Sequence, residues 1–595
     1  MTVAMNPPAD ALAPTPGEQR IAAMDVVRGF ALIGIFLMNV EFFGRATNTI
    51  GEGMPLGLTG LDWFASWFIA YFVQGKFWTI FSLLFGMGFA LMLTRAERAG
   101  REFTGTYLRR ILALAVFGAA HFIFLWAGDI LFSYAVGALA LMIALFGNWK
   151  AILAGILMLI AAGMLSGIDD LFPVAAGLAI AGIVGWYLRD TGGFNLRGRI
   201  PTMPWVSAIL VLLGALGTLA AVAMWLMPNA PKDPRVILSV MAPLVLALGV
   251  FSARFHHRPE TRDGRFGAAL YLFVFLSMTI AGAQRYLTPP EPATPVVKSQ
   301  AASAKPDTGK SAVVVAQTDV QTEASNVTTA TKATKPANVE KTDAEKTAAE
   351  KAKREADRAK RLAEYAAETH EETRILSTGT YREAVEMRAR KFPEKVVGDA
   401  ASTIILLAMF LLGVWFVRSG VMERPADHLP FFRKLALYGI PFGVGLGLIG
   451  SLIAVSHIPG DRYDGFQFAM GLAMVGNLPA CLGYVSLVVL MLHSNSVFST
   501  IRVFAPAGRM ALTNYLTQSL IGTCFFYGYG LGHWGMGRAA QVVFVATVFA
   551  LQVVFSHWWL ARFRYGPMEW LWRGFTYRQL PALRLTSPVG APAVA

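Results

Sequence analysis

Ionisable and amide side chains inside apolar segments are the residues best able to do chemistry in this sequence, because a bilayer makes them costly to keep. The first such segment opens as DVVRG, where Asp25 and Arg28 share a helical face and can pair. Asn39 follows Arg28 by eleven residues. That is about three turns, so both project the same way, ~16 Å apart in depth. Arg110 and His121 repeat this spacing. His121 lies in VFGAAHFIFLW; an imidazole there is either a general base or a satisfied hydrogen-bonding partner. Asn39 has the same two readings, site residue or interhelical glue. Asp129 comes eight residues after His121. On a continuous helix it would lie ~12 Å away and off the face of His121. It could orient His121 only if the chain bends at Gly128. Capping the helix that starts at Ile130-Leu131 is the stronger reading of Asp129.

Lys76 follows Gln74-Gly75 in a long apolar stretch and needs a carboxylate or an anion. Glu41, Asp129 and a substrate are the candidates. Arg509, Thr513, Asn514 and Gln518 make a polar stripe in PAGRMALTNYLTQSL, and Glu569, Trp570, Trp572 and Arg573 in RYGPMEWLWRGFTY read as an interfacial anchor. Gly86 and Gly88 suit close helix packing. His256 and His257 are adjacent, with no acidic or thiol ligands around them, so no metal site is expected. No phosphate-binding loop, nucleophile elbow, zinc helix or dinucleotide fingerprint occurs in convincing context.

These residues need a scaffold, and composition names it. A chain of 595 residues predicts about four soluble domains at ~150 residues each. Hydrophobic residues at 55%, charged residues at 15% and a mean hydropathy of +0.49 exclude that. Soluble chains carry about 25% charge. The fold expected is all-α, a polytopic bundle of about 14 transmembrane spans. They fall near 24–44, 62–94, 109–127, 130–147, 150–167, 171–188, 205–227, 236–252 and 267–285, then 401–418, 435–456, 466–493, 510–531 and 540–562. The 62–94 segment counts as one interrupted span. Cys481 and Cys524, the two cysteines, both sit in apolar segments and build no disulfide framework.

With the N-terminus inside, alternate loops hold the arginines, among them Arg95, Arg98, Arg101, Arg189, Arg258, Arg418, Arg433 and Arg502. The other loops hold few, which is the asymmetry the positive-inside rule requires. Both termini are therefore expected in the cytoplasm, and the net charge of +14 calls for no nucleic acid. Residues 1–19 read as disordered. Two membrane halves, 20–285 and 401–595, flank an extracytoplasmic insertion at 286–400. That insertion reads as a linker to about 340 followed by a charged Ala/Glu/Lys helix over 339–375.

DVVRGFALIGIFLMNV, GKFWTIFSLLFGMGFAL, LRRILALAVFGAAHFIFLWAGDILFSYAVGAL, GRMALTNYLTQSL and FRYGPMEWLWRGFTY resemble the bacterial YeiB family, whose C-terminal part is domain of unknown function 418. STGTYREAVEMRARKF also looks like that family; the linker does not. More distantly, Arg28-Gly29 with Asn39 is similar to the start of heparan-alpha-glucosaminide N-acetyltransferase, a transmembrane acyltransferase. The family's catalytic histidine would fall at Ile50, so His121 stands in for it. The resemblance implies transfer of an acyl, and first of all acetyl, group from cytosolic acyl-CoA to an acceptor on the far side. Arg28, Arg109, Arg110 and Arg509, with Asn514 on the same stripe, would bind the CoA. His121 would be the base, Asn39 the oxyanion donor, with Lys76 and Asp129 assisting. Expected partners are membrane lipids of the bacterial inner membrane, an envelope glycan or lipid-linked acceptor, and a second copy of the chain. A secondary transporter and an envelope scaffold using the insertion as its arm are the alternatives.

Overall fold

The structure is a computed structural model that describes residues 21–190, 192–193, 203–227, 232–288 and 343–585. The expected disordered terminus at 1–19 and nearly all of the expected linker lie outside these residues. Among the described residues there is no β-strand, only isolated bridges. The chain is all-α.

The helices are α1 (Ala22–Asn39), α2 (Gly60–Phe68), α3 (Lys76–Arg98), α4 (Thr104–Ala120), α5 (Leu131–Phe146), α6 (Trp149–Ser166) and α7 (Leu171–Arg189). There follow α8 (Trp205–Leu226), α9 (Lys232–Phe255), α10 (Pro259–Leu287), α11 (Asp343–Thr378), α12 (Tyr381–Ala401) and α13 (Thr403–Arg418). The C-terminal set is α14 (Leu429–Ile453), α15 (Phe466–Leu492), the short α16 (Ala505–Arg509), α17 (Ala511–Phe526), α18 (Arg538–Leu560) and α19 (Pro567–Tyr577). By compactness the chain divides into residues 289–364 and a unit comprising the rest. Within the larger unit the two membrane halves interlock. Helix α13 packs on α3, α5 and α10, and α15 on α3, α10 and α14.

Each of the fourteen expected spans is helical. Eleven helices among the described residues are long and apolar enough to cross a bilayer. The other three, α5, α13 and α17, have 16 residues each, or about 24 Å. A hydrocarbon core is ~30 Å thick. Helix α13 meets the length only together with α12, across a 55° bend. The 62–94 segment is one interrupted span: α2, a π-helical turn at Ile69–Val73, then α3. The interruption falls at Gly75, whose φ of 80° explains the glycine there.

Gly86 permits a backbone approach: a Cβ there would sit 2.2 Å from the Phe410 carbonyl oxygen of α13. Gly88 has open space beside it and lines a cavity, so close packing accounts for only one of that pair. The charged helix expected at 339–375 is α11. The STGTYREAV segment starts α12 with a capping box, Thr380 and Glu383 each hydrogen-bonding the other's backbone.

Candidate functional site

The site has two connected parts at the junction of α1, α3, α4, α5 and α17. The first is a cavity of about 280 Å³. Arg28 of α1, Arg95 in the last turn of α3, Arg110 near the start of α4, Arg509 ending α16 and Arg573 of α19 all line it. The carboxylates among its lining residues are Asp25 and Glu569, so arginines outnumber them. Arg28 Nη1 donates to Asp25 Oδ1 at 3.0 Å, the pair expected from DVVRG. Arg110 lies over the Trp572 ring at 3.9 Å, and Trp572 Nε1 donates to the Arg110 carbonyl at 3.1 Å. Helix α19 is thus an amphipathic segment closing the arginine end of the cavity. Most of the remaining wall is apolar.

Glu569 organises that end. Its Oε1 accepts the amides of Leu512 at 2.7 Å and Thr513 at 3.1 Å, and its Oε2 accepts the Thr513 hydroxyl at 2.6 Å. A carboxylate from α19 therefore caps the N-terminus of α17, where the helix dipole favours negative charge. Burial pushes the Glu569 carboxyl above the ordinary carboxylate range, against these hydrogen bonds, which pull it down. The folded protein then holds this proton at higher pH than the unfolded chain does. Glu569 costs stability at neutral pH, and the cost is relieved as pH falls through the raised value toward the ordinary one. Thermal unfolding of wild type and Glu569→Gln between neutral pH and about 4.5 should show the wild type gaining on the variant as pH falls. A constant gap would refute the assignment.

The second part is a hydrogen-bonded chain of side chains. Helix α4 ends in a π-helical turn, His121–Leu125, closed by Trp126 N–H donating to the His121 carbonyl at 2.8 Å. Such turns re-aim side chains and recur at functional sites. The backbone extends at Trp126 and bends at Ala127, next to Gly128, bringing Asp129 back onto His121. A Cβ at Gly128 would fall 2.1 Å from the Trp126 ring. His121 Nδ1 lies 2.8 Å from Asp129 Oδ1, and His121 Nε2 lies 2.8 Å from Ser519 Oγ on α17. Asp129 also accepts the amides of Leu131 at 3.2 Å and Phe132 at 2.7 Å. The chain bends, so Asp129 both orients His121 and caps α5. The side chains of His121 and Asp129 are fully buried, and Ser519 is 1% exposed.

Tyr515 joins the two parts. It lines the cavity, its ring lies 5.1 Å from that of His121, and its hydroxyl donates to the Gly128 carbonyl at 3.4 Å. Ile130 and Leu131, next to Asp129, line the same end. The cavity therefore runs from the arginines along about two turns of α4, Tyr107 to Leu114, and ends at Ile130, Leu131 and Tyr515; His121, Asp129 and Ser519 lie behind that wall and do not line it.

Of the residues singled out from sequence, Arg28, Arg110 and Arg509 line the cavity, and His121 meets Asp129. Arg109 faces elsewhere, donating to the Thr576 carbonyl at 3.0 Å and to Thr106. Asn514 is held by the Ala507 carbonyl and Ser556, within a network that includes Gln552 and Gln518. Asn39 is buried at the end of α1 and does not line the cavity. Lys76 is fully buried, and its Nζ has no hydrogen-bond partner among the described residues. Glu41 is taken by Arg45 and Arg538, and Asp129 by His121, so neither proposed carboxylate reaches Lys76. Sequence reading missed Ser519. The only signal for it was a hydroxyl four residues after Tyr515, one position beyond the stripe that ends at Gln518. Arg388 of α12, also missed, is buried and donates through Nε to the Ile123 carbonyl in the π-turn.

Residues 416–579 match the family described as protein of unknown function DUF418. The chain is 24% identical to the uncharacterized protein YxaH of Bacillus subtilis (strain 168), over 95% of its own length and 96% of that protein. It is 34% identical to the uncharacterized protein YeiB of Escherichia coli (strain K12), over 31% of its length and 47% of that protein. An uncharacterized 39.9 kDa protein of Bacillus acidopullulyticus is 40% identical over 18% of this chain and 29% of that one. No solved structure matches. The resemblance to YeiB proteins stands; none of these names carries an acyl-transfer activity.

Proposed function

We propose that this multi-pass membrane protein of the YeiB type, with a DUF418 domain over its C-terminal helices, is an acyltransferase that draws its acyl group from acyl-CoA. The observation that supports this most is that an arginine-lined apolar cavity ends at Tyr515, whose ring lies 5.1 Å from that of His121 in the buried His121–Asp129 pair. Guanidinium groups bind phosphates through paired, charge-assisted hydrogen bonds. The cavity volume of about 280 Å³ falls below the ~300–1,000 Å³ of whole small-molecule sites. The fit is to the acyl-pantetheine arm, with the nucleotide phosphates held outside it by the arginines. The arginine end faces the cytoplasm of a bacterial inner membrane, both termini lie there, and the insertion lies on the far side. The acceptor is a hydroxyl or amine of an envelope glycan or lipid-linked sugar.

An ionised Asp129 can only accept, so the proton between it and His121 sits on Nδ1. Nε2 is then the basic nitrogen, facing away from Asp129, and can take a proton from the attacking group. Asp129 holds that tautomer and stabilises the imidazolium that forms. No step is assigned to Asn39 or Lys76, which neither line the cavity nor join the His121–Asp129–Ser519 chain. A buried lysine beside interrupted backbone favours transport of an anion as the second reading.

The test is acetyl-CoA binding to purified protein in nanodiscs, with Arg28→Ala and Arg110→Ala beside wild type. Each variant should bind about tenfold more weakly or worse, as expected for losing a charge-assisted contact of ~1.5–3 kcal/mol. Absence of binding by acetyl-CoA, longer acyl-CoA and free CoA to folded wild-type protein would pass the lead to the transporter.

A further inference from the structure

We infer that Ser519 is a nucleophile that carries the acyl group covalently between donor and acceptor. The inference rests on the acyl-CoA reading and adds a step to it. A serine inside a membrane helix ordinarily donates to the carbonyl four residues back. Ser82, Ser277 and Ser486 do so at 2.9, 2.6 and 2.7 Å. In Ser519 that contact, to the Tyr515 carbonyl, is stretched to 3.4 Å, while Oγ lies 2.8 Å from His121 Nε2. The hydroxyl has turned from its own helix toward the one lone pair that the His121–Asp129 pair leaves available. Nucleophile, base and orienting carboxylate come from three places in the chain: α17, the π-turn and the loop after it. Each is fixed by its own local structure. That is the geometry of an activated serine.

Access supports the same role. The cavity reaches from the arginines to Tyr515, one turn before Ser519 on α17. A donor filling it leaves no room for the acceptor at the same serine. A covalent intermediate lets donor and acceptor visit in turn, with His121 serving both half-reactions. In the first, Ser519 Oγ attacks the thioester carbonyl and His121 Nε2 takes its proton. The carbon–sulfur bond breaks, and the CoA thiolate leaves with that proton. In the second, the acceptor hydroxyl or amine attacks the Ser519 ester and gives its proton to Nε2. Ser519 Oγ leaves and takes the proton back. No oxidant, reductant or metal is needed. Tyr515 stands between the cavity and Ser519 and must shift for the thioester to pass.

The test uses full-length protein in nanodiscs and radiolabelled acetyl-CoA, without acceptor. Free CoA is followed as a burst, and acid-quenched protein is digested and mapped for acetyl on the Ala511–Phe526 segment. Wild type should release about one CoA per active chain and carry acetyl on Ser519. Ser519→Ala should lose the burst and label at least about 100-fold, while binding acetyl-CoA like wild type. Ser519→Cys, which keeps a nucleophile, should be labelled through a hydroxylamine-sensitive thioester. Equal bursts in wild type and Ser519→Ala, or acyl transfer to envelope extract by Ser519→Ala at the wild-type rate, would overturn the nucleophile and leave direct transfer standing. Wild type that binds acetyl-CoA but gives neither burst nor label would likewise overturn the nucleophile and leave direct transfer standing. Failure of folded wild type to bind acetyl-CoA at all would overturn the acyl-CoA reading, and this inference with it.

Discussion

Asp129→Asn is expected to lower acyl transfer by about 10⁴-fold while barely moving the melting temperature. The two roles of Asp129 make the substitution informative. Its carboxylate accepts from His121 Nδ1 and from the amides of Leu131 and Phe132. Oδ1 serves both His121 and Leu131, whereas Oδ2 serves Phe132. An asparagine oxygen in the Oδ2 place keeps the shorter bond, from Phe132, so most of the cap on α5 survives while the longer Leu131 bond is given up. Its NH2 group can donate to Nδ1, which selects the other tautomer and puts the imidazole proton on Nε2, facing Ser519. The base then lacks its lone pair where the proton must go. His121→Ala should lose about 10²–10⁴-fold, with acetyl-CoA affinity unchanged. Asp129→Ala should lose both turnover and about 1 kcal/mol of stability through the cap. The measurement is turnover with an envelope-extract acceptor, set beside thermal unfolding in nanodiscs. Equal melting and near-wild-type turnover in Asp129→Asn would reduce Asp129 to a helix cap.

The membrane architecture was legible because hydropathy is a local property. Twenty apolar residues in a row need no knowledge of what they touch. The three helices of 16 residues mark where that logic runs short. Their length reflects tertiary context: α13 continues across a bend into α12, and α5 follows a turn set by Asp129. The equal spacing of Arg28–Asn39 and Arg110–His121 drew attention to α1 and α4, whose arginines both line the cavity. Yet only Arg28, Arg110 and His121 take part in the site as it is built; Asn39 does not line the cavity. A shared depth does not determine a shared cavity. Ser519 was out of reach for a related reason. A serine in a membrane helix ordinarily satisfies itself on its own backbone, and what sets Ser519 apart is a lone pair supplied from another helix. Of the three partners expected for Lys76, Glu41 and Asp129 are held by Arg45, Arg538 and His121, which leaves a substrate anion.

Gly128 packs against the Trp126 ring in the short link that brings Asp129 to His121, so Gly128→Ala should be among the most damaging small substitutions in the chain. The added Cβ would lie 2.1–2.5 Å from three atoms of the Trp126 ring. That ring cannot simply swing away. It packs on Phe43 with centroids 4.7 Å apart, and its Nε1 donates to the Phe42 carbonyl at 3.4 Å. The remaining freedom is in the backbone between the π-turn and α5, and using it moves Asp129 relative to His121. Overpacking of this kind costs about 1–3 kcal/mol. A displacement near 1 Å at the reacting groups costs about 100-fold in rate. The loss should therefore fall on turnover, with acetyl-CoA binding at the arginine end retained. Trp126→Phe removes the atoms that collide, so the double variant should recover most of the lost turnover although each single change is harmful. A recovery of that sign makes the two effects non-additive, as required of residues sharing one contact. Additive losses in the cycle would mean that the alanine acts on the backbone at Gly128 itself, and the steric account of the bend would fail.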